Sequence, residues 1–334
     1  MCPPMWPWTE DQSGYSERVI WISLAAATAI QADLHLDTPT QLHRQDAPLD
    51  APTGLEGGLD QLRAGGTNLA VQVLWPPRNA EWRSHTFGLL ERLEAEVERL
   101  DDLSLVRTPN QARRVAEEGG IGVMIALEGA HGLGEDWRWD LYALQQRGLG
   151  MVGLTWSLSN RFAGSSADDG GGLTDDGRAL ITTAQRAGLL IDVSHASRQT
   201  TLDVCAMSQA PVIASHSGAR AVYDHPRNLG DDELRCIGAT GGVVGLNLHG
   251  PFLGGARDIE AAAKHLEHVR SVAGLGAVAL GSDYDGIIQP AKGLPHAGAL
   301  PTLWESLAAR GWEDDELEAL QGENFMRAWA AALD

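Results

Sequence analysis

Apolar residues along this chain gather into short uninterrupted runs, set apart by polar or helically spaced stretches. Residues 32–37, 66–74, 121–127, 150–155, 189–193, 211–214, 241–246 and 277–280 are eight such stretches, bounded by turn-type residues. Runs of this kind predict strands covered on both faces, as in a parallel sheet. Helical spacing follows over residues 82–103, 175–187, 198–208 and 256–273, and residues 302–310 and 314–332 predict two closing helices. Thr174 stands where a helix beginning at 175 would take its cap. The clearest unit spans residues 188–220, where two strands flank a helix of about three turns and each strand runs into Ser-His. Eight strands alternating with helix or loop predict a (β/α)8 barrel, a single domain over residues 1–334. An open doubly wound sheet is the alternative. It would spread the strand ends along an edge, whereas a barrel collects them at one mouth.

Residues 1–30 predict an N-terminal extension with a helix over the apolar run 19–30, covering one end of the barrel. The stretch before it carries Glu10, Asp11 and Glu17 against Arg18, so a secretory signal's positive region is missing. The run is also too short to span a bilayer, so no membrane anchor is expected. Charge narrows the partners further. Forty-five acidic residues against 25 Lys and Arg give a net charge of −20, which excludes a nucleic-acid partner and disfavours an anionic membrane surface. The three cysteines, Cys2, Cys205 and Cys236, are odd in number and show no CxxC spacing. They predict no disulfide framework and a cytoplasmic location, with export left open.

The residues at the predicted strand ends carry the chemistry. His35 and Asp37 close the first strand on one face; Glu128 follows the third, His195 the fifth, His216 the sixth and Asp283 the eighth. Imidazole and carboxylate are the ligand set of zinc and similar divalent ions. Three of each exceed what one tetrahedral ion needs, and a two-metal centre with a bridging carboxylate fits the count. Packing alone gives no reason for charged groups where apolar strands end. His131 reads as a brace for the loop after Glu128, Asp285 as a loop-holding residue, and Asp192 as solvated or touching a helix. The glycine-rich tract 164–172 lacks a phosphate loop's Lys-Ser/Thr ending and reads as a lid or wall of the mouth.

The stretches 33–38 (DLHLDT), 127–131 (LEGAH), 153–155 (GLT), 191–197 (IDVSHAS), 227–232 (RNLGDD), 281–286 (GSDYDG) and 322–327 (GENFMR) together resemble the membrane dipeptidase (renal dipeptidase) family of zinc metallopeptidases. The resemblance runs from about residue 20 to the end. It implies one zinc on His35, Asp37 and Glu128 and a second on Glu128, His195 and His216, so that Glu128 bridges. It further implies attack by a hydroxide between the two metals, Asp283 as the catalytic carboxylate, and Arg227 as receptor of a dipeptide's C-terminal carboxylate. Among the arginines near the mouth, only the resemblance favours Arg227 over Arg161, Arg198 and Arg220. Homodimers are common in the family. Two departures stand out: Trp156 replaces a histidine of mammalian-type members and lines the expected substrate site, and Phe252 replaces a tyrosine. Both make the pocket more apolar and predict a substrate preference unlike theirs. Rival readings are a metal-dependent hydrolase of another small amide or cyclic amide, or a barrel kept for binding or biosynthesis without catalysis.

Overall fold

The computed structural model describes residues 28–334 apart from 51–53, 79–80 and 169. The predicted covering helix falls outside the described residues up to position 27. Ten strands form one parallel system: β1 (Ala32–Leu36), β2 (Leu69–Leu74), β3 (Leu103–Leu105), β4 (Ile121–Leu127), β5 (Leu149–Gly153), β6 (Leu190–Asp192), β7 (Val212–Ala219), β8 (Asn228–Leu229), β9 (Val243–Leu246) and β10 (Val278–Leu280). Eight of them run in the order β1-β2-β4-β5-β6-β7-β9-β10, each pairing in parallel with the next, while β3 adds to β4 and β8 to β7. The ring closes through a parallel bridge between Leu36 and Tyr284. There the Asp283 amide donates to the His35 carbonyl (3.0 Å) and the Asp37 amide to the Tyr284 carbonyl (2.9 Å). The eight ring strands are the predicted ones, and the fold is the expected (β/α)8 barrel.

Alternation along the strands sorts the core into two layers. Val71 and Val73 of β2 join Leu34, Met124, Met151, Ile213 and Ala279 inside the barrel, while Ala70 and Leu74 pack outward against the helices. The C-terminal helix Asn324–Leu333 sets Phe325 and Trp329, both essentially fully buried, into the inner layer. One end of the barrel is thereby plugged, and the strands' C-terminal ends remain as the mouth.

Several local expectations need correcting. The helix expected over 82–103 ends at Arg99, because the chain turns there into β3. Helices Thr38–Gln45, Leu59–Gly65, Pro109–Glu117, Trp137–Gln146 and Asp231–Ala239 were not anticipated, none being longer than ten residues. Strand β7 continues five residues past the predicted end, so His216 lies within it rather than beyond it. Cys205 and Cys236 form a disulfide, contrary to the expectation from their number and spacing. They come from helices Arg198–Met207 and Asp231–Ala239, which follow neighbouring ring strands and pack together. The bond removes the cysteine argument for a reducing compartment. No described helix is long and apolar enough to cross a membrane.

Candidate active site

Backbone irregularities aim the side chains at the mouth. A regular strand sends successive residues to opposite faces, so Ser215 and His216 could not both look inward. The β7–β9 ladder shifts register between Ala214 and Ser217, and this irregularity lets both do so. The β1–β2 ladder shifts likewise between Asp33 and Leu36, around His35. His195 and Asp283 take left-handed backbone conformations, with φ of 64° and 69°. Such geometry is uncommon for residues other than glycine, and it concentrates at functional sites. Ser197 caps the next helix through the Thr200 amide (3.0 Å), which fixes the turn carrying His195.

Glu128 stands at the centre. Its Oε1 lies 2.9 Å from His195 Nε2, 3.4 Å from His216 Nε2 and 3.6 Å from His35 Nε2. Two sets, His35 with Asp37 and Glu128, and Glu128 with His195 and His216, each bring ligand-type atoms within 4.8 Å of one another; His35, His216 and Asp283 form a third. His35 Nε2 and Asp37 Oδ1 are buried without a hydrogen-bond partner among the described residues, as metal-facing atoms would be. The donor set and its unspent atoms therefore fit divalent cations.

Behind these side chains, one hydroxyl ties two imidazoles. Ser215 Oγ lies 2.6 Å from Asp192 Oδ2, 3.0 Å from His35 Nδ1 and 2.9 Å from His216 Nδ1. A hydroxyl has one proton, and the carboxylate can only accept, so Ser215 donates to Asp192 and accepts from both imidazoles. The network places a proton on Nδ1 of each histidine and turns both Nε2 atoms toward Glu128. Asp192 is thus neither solvated nor against a helix, as the sequence suggested. It is buried and also takes the Ser194 and Ser215 amides (2.8 and 2.9 Å).

Electrostatics divide the cluster. Burial pushes the His195 imidazole down to about 4, helped by the Arg227 charge, and holds His216 well below its ordinary value. For His35 burial acts downward too, but Glu128, Asp37 and Asp283 outweigh it and raise the ring to about 10. Burial also lifts Asp283 to about 6, with Glu128 adding repulsion and an Asn247 Nδ2 hydrogen bond (2.9 Å) opposing it.

The cluster opens into a cavity of about 230 Å³. Asp37, Glu128, His195 and Asp283 line its floor, Trp75, Trp156 and Phe252 its walls, and Ile287, 72% exposed, its lip. The Trp156 ring meets Trp75 edge-on at 4.7 Å. Arg227 sits behind Phe252, its guanidinium 5.8 Å from that ring, and donates from Nη2 to the His216 carbonyl (3.0 Å). All eight singled-out residues thus gather at one mouth. His131 donates from Nε2 to the Pro76 carbonyl (2.8 Å) and braces the loop after β2. Asp285 takes the Thr38 hydroxyl (2.7 Å) and the Glu56 and Gly57 amides (2.7 and 3.1 Å), holding its loop as expected. From the glycine-rich tract, the Gly164 and Gly171 carbonyls accept from Thr200 and Ser197, so it packs on the next helix, and none of its described residues lines the cavity. Sequence reasoning missed Ser215, Asn247, Thr40, Arg44 and Trp75. A serine before each strand-end histidine was the available signal for the first.

Comparisons with known proteins agree with this geometry. The model of the membrane dipeptidase family (Peptidase family M19) matches residues 23–334. The dipeptidase verJ of Clonostachys rogersoniana is 33% identical over 292 residues, which cover 83% of this chain and 75% of that protein. A metallo peptidase from Rhodobacter sphaeroides, solved with a phosphinate mimic of the dipeptide L-Ala-D-Ala, superposes with a TM-score of 0.84 at 26% identity, covering 91% of this chain and 99% of the other. The dipeptidase AC, a metallo peptidase of family M19, gives 0.84 at 27% identity over 92% and 99%. With the barrel, the ligand-type cluster and a family match over nearly the whole length, this chain belongs to the membrane dipeptidase family of metallopeptidases.

Proposed function

We propose that this protein is a binuclear zinc dipeptidase, hydrolysing the peptide bond of small substrates at the barrel mouth. The observation that carries the reading is Glu128 Oε1 between three imidazole Nε2 atoms, at 2.9, 3.4 and 3.6 Å, with Asp37 and Asp283 beside it. His35, Asp37 and Glu128 would hold one cation and Glu128, His195 and His216 the other. Two zinc ions bound there would supply Lewis acidity and make water a competent nucleophile at neutral pH.

The chain's own groups do the rest. Asp283, hydrogen-bonded by Asn247, takes the proton from the attacking water and returns it to the departing amine. Arg227 receives the substrate's C-terminal carboxylate, which limits substrates to two residues. Its Nε is buried without a partner among the described residues and is free to serve that acceptor. Trp156 and Phe252 wall the scissile region with apolar surface and exclude bulk water.

The test pairs metal analysis of purified protein with hydrolysis of free and C-terminally amidated dipeptides. About two equivalents of zinc are expected, with turnover of the free dipeptides only. Equal turnover of the amides would transfer the assignment to the hydrolysis of other small amides.

A further inference from the structure

The cavity wall opposite Arg227 carries hydrogen-bond donors that the hydrolysis of a simple dipeptide leaves unused. Helix Thr38–Gln45 begins directly after Asp37, and Asp37, Thr40 and Arg44 follow at intervals of three and four, one stripe of that helix. All three line the cavity. Thr40 is 3% exposed, and its hydroxyl has no partner among the described residues. The indole nitrogen of Trp75, another lining residue, is buried and likewise without one. Arg44 pairs with no carboxylate among the described residues and instead lays its guanidinium over the Trp75 ring, 5.6 Å from the centroid. A hydroxyl, an indole N–H and a guanidinium on one wall have a single chemistry in common: they donate to an acceptor, and the guanidinium favours an anionic one.

The barrel order fixes where that wall stands. Arg44 and Trp75 follow β1 and β2, whereas Arg227 follows β7, four places from β2 in a ring of eight. A dipeptide anchored by its C-terminal carboxylate at Arg227 points its N-terminal residue across the mouth toward Thr40 and Arg44. We infer that this wall is a subsite for an acidic side chain on the substrate's N-terminal residue, with Arg44 pairing the carboxylate and Thr40 and Trp75 donating beside it. The inference rests on the dipeptidase reading and specifies its substrate class: dipeptides beginning with Glu or Asp.

The test uses phosphinate analogues of Glu-Ala and Gln-Ala, in which a tetrahedral phosphinate replaces the scissile amide, titrated calorimetrically into the zinc-loaded protein. The two side chains match in shape and differ in charge. The Glu analogue is expected to bind about five- to tenfold more tightly, the scale of a partly exposed charge pair with neutral donors beside it. That ratio should fall toward one in Arg44→Gln, shrink as salt is raised, and fall partway in Thr40→Val. Equal binding of the two analogues by the wild type, or a ratio untouched by Arg44→Gln, overturns the subsite and leaves the dipeptidase reading standing. Failure of both analogues to bind, with no turnover of either dipeptide, overturns both.

Discussion

The two sides of the mouth present their ligand-type side chains by opposite means. On the β6–β7 side, His195 and His216 are held uncharged by burial, near a positive Arg227, and His216 is oriented by the hydroxyl of Ser215. His216, with its proton on Nδ1, turns an Nε2 lone pair toward Glu128. On the β1–β10 side, carboxylates crowd together: Asp37, Asp283, Asp285 and, behind them, Glu56. Burial and mutual repulsion raise Asp37 and Asp283, and the same negative charges hold a proton on His35. One side is a ready set of neutral ligands; the other is a store of negative charge that only a cation or a proton relieves. Glu128 is the seam between them.

Asp283 gives the sharpest way to break the carboxylate side. Replacing it with Asn keeps shape and the neighbouring Asn247 contact while removing the carboxylate proposed to shuttle the proton. Turnover should fall by about 10²–10⁴, the range of general acid–base catalysis, with zinc content unchanged by metal analysis. Because Asp283 also lies within ligand reach of His35 and His216, loss of a metal equivalent in this variant would reassign it as a ligand.

Ser215 tests whether the two sides are independent at all. Its hydroxyl accepts from an imidazole on each, 3.0 Å from His35 and 2.9 Å from His216. In Ser215→Ala both rings lose the partner that sets their tautomer. Metal affinity should weaken about 10–100-fold, the usual consequence of removing such a partner, and at both sites together. Competition titration with a chelator measures it. Weakening at one site alone would mean that the shared hydroxyl does not couple them.

How much of this was legible without coordinates follows the same division. His195 and His216 were readable because each closes an apolar run and a single helix separates them. His35 and Asp37 were readable from their spacing of two, and Glu128 from its place at the end of the third run. What stayed hidden depends on register and on neighbours distant in sequence. Alternation alone assigns Ser215 and His216 to opposite faces, and only the irregular β7–β9 pairing turns both inward. Asp192 looked outward by the same alternation, yet its carboxylate is the acceptor beneath Ser215. Helix Thr38–Gln45 carries too few apolar residues to announce itself, so the stripe through Thr40 and Arg44 had no signal. Cys205 and Cys236 meet because their helices stand side by side around the ring, a relation that spacing along the chain does not encode.

The smallest effect lies at the outer edge of the carboxylate side. Glu56 accepts from the Asp285 amide (2.9 Å), and burial, with the charges of Asp285 and Asp283 behind it, raises its carboxyl from 4.5 to about 7. The folded chain therefore binds this proton more tightly than the unfolded chain does. Its contribution to stability is complete below about pH 4.5 and is lost as pH rises through about 7. Asp33 and Asp283 are also raised, each to about 6, so the wild-type curve alone does not isolate Glu56. The difference between wild type and Glu56→Gln does. In chelator-treated protein, Tm should fall less steeply between pH 4.5 and 7 in the variant, by a modest amount because Glu56 is only partly buried. Parallel curves across that window would show that the crowding of negative charge stops at Asp283 and Asp285, and would confine the contrast between the two sides to the innermost residues of the mouth.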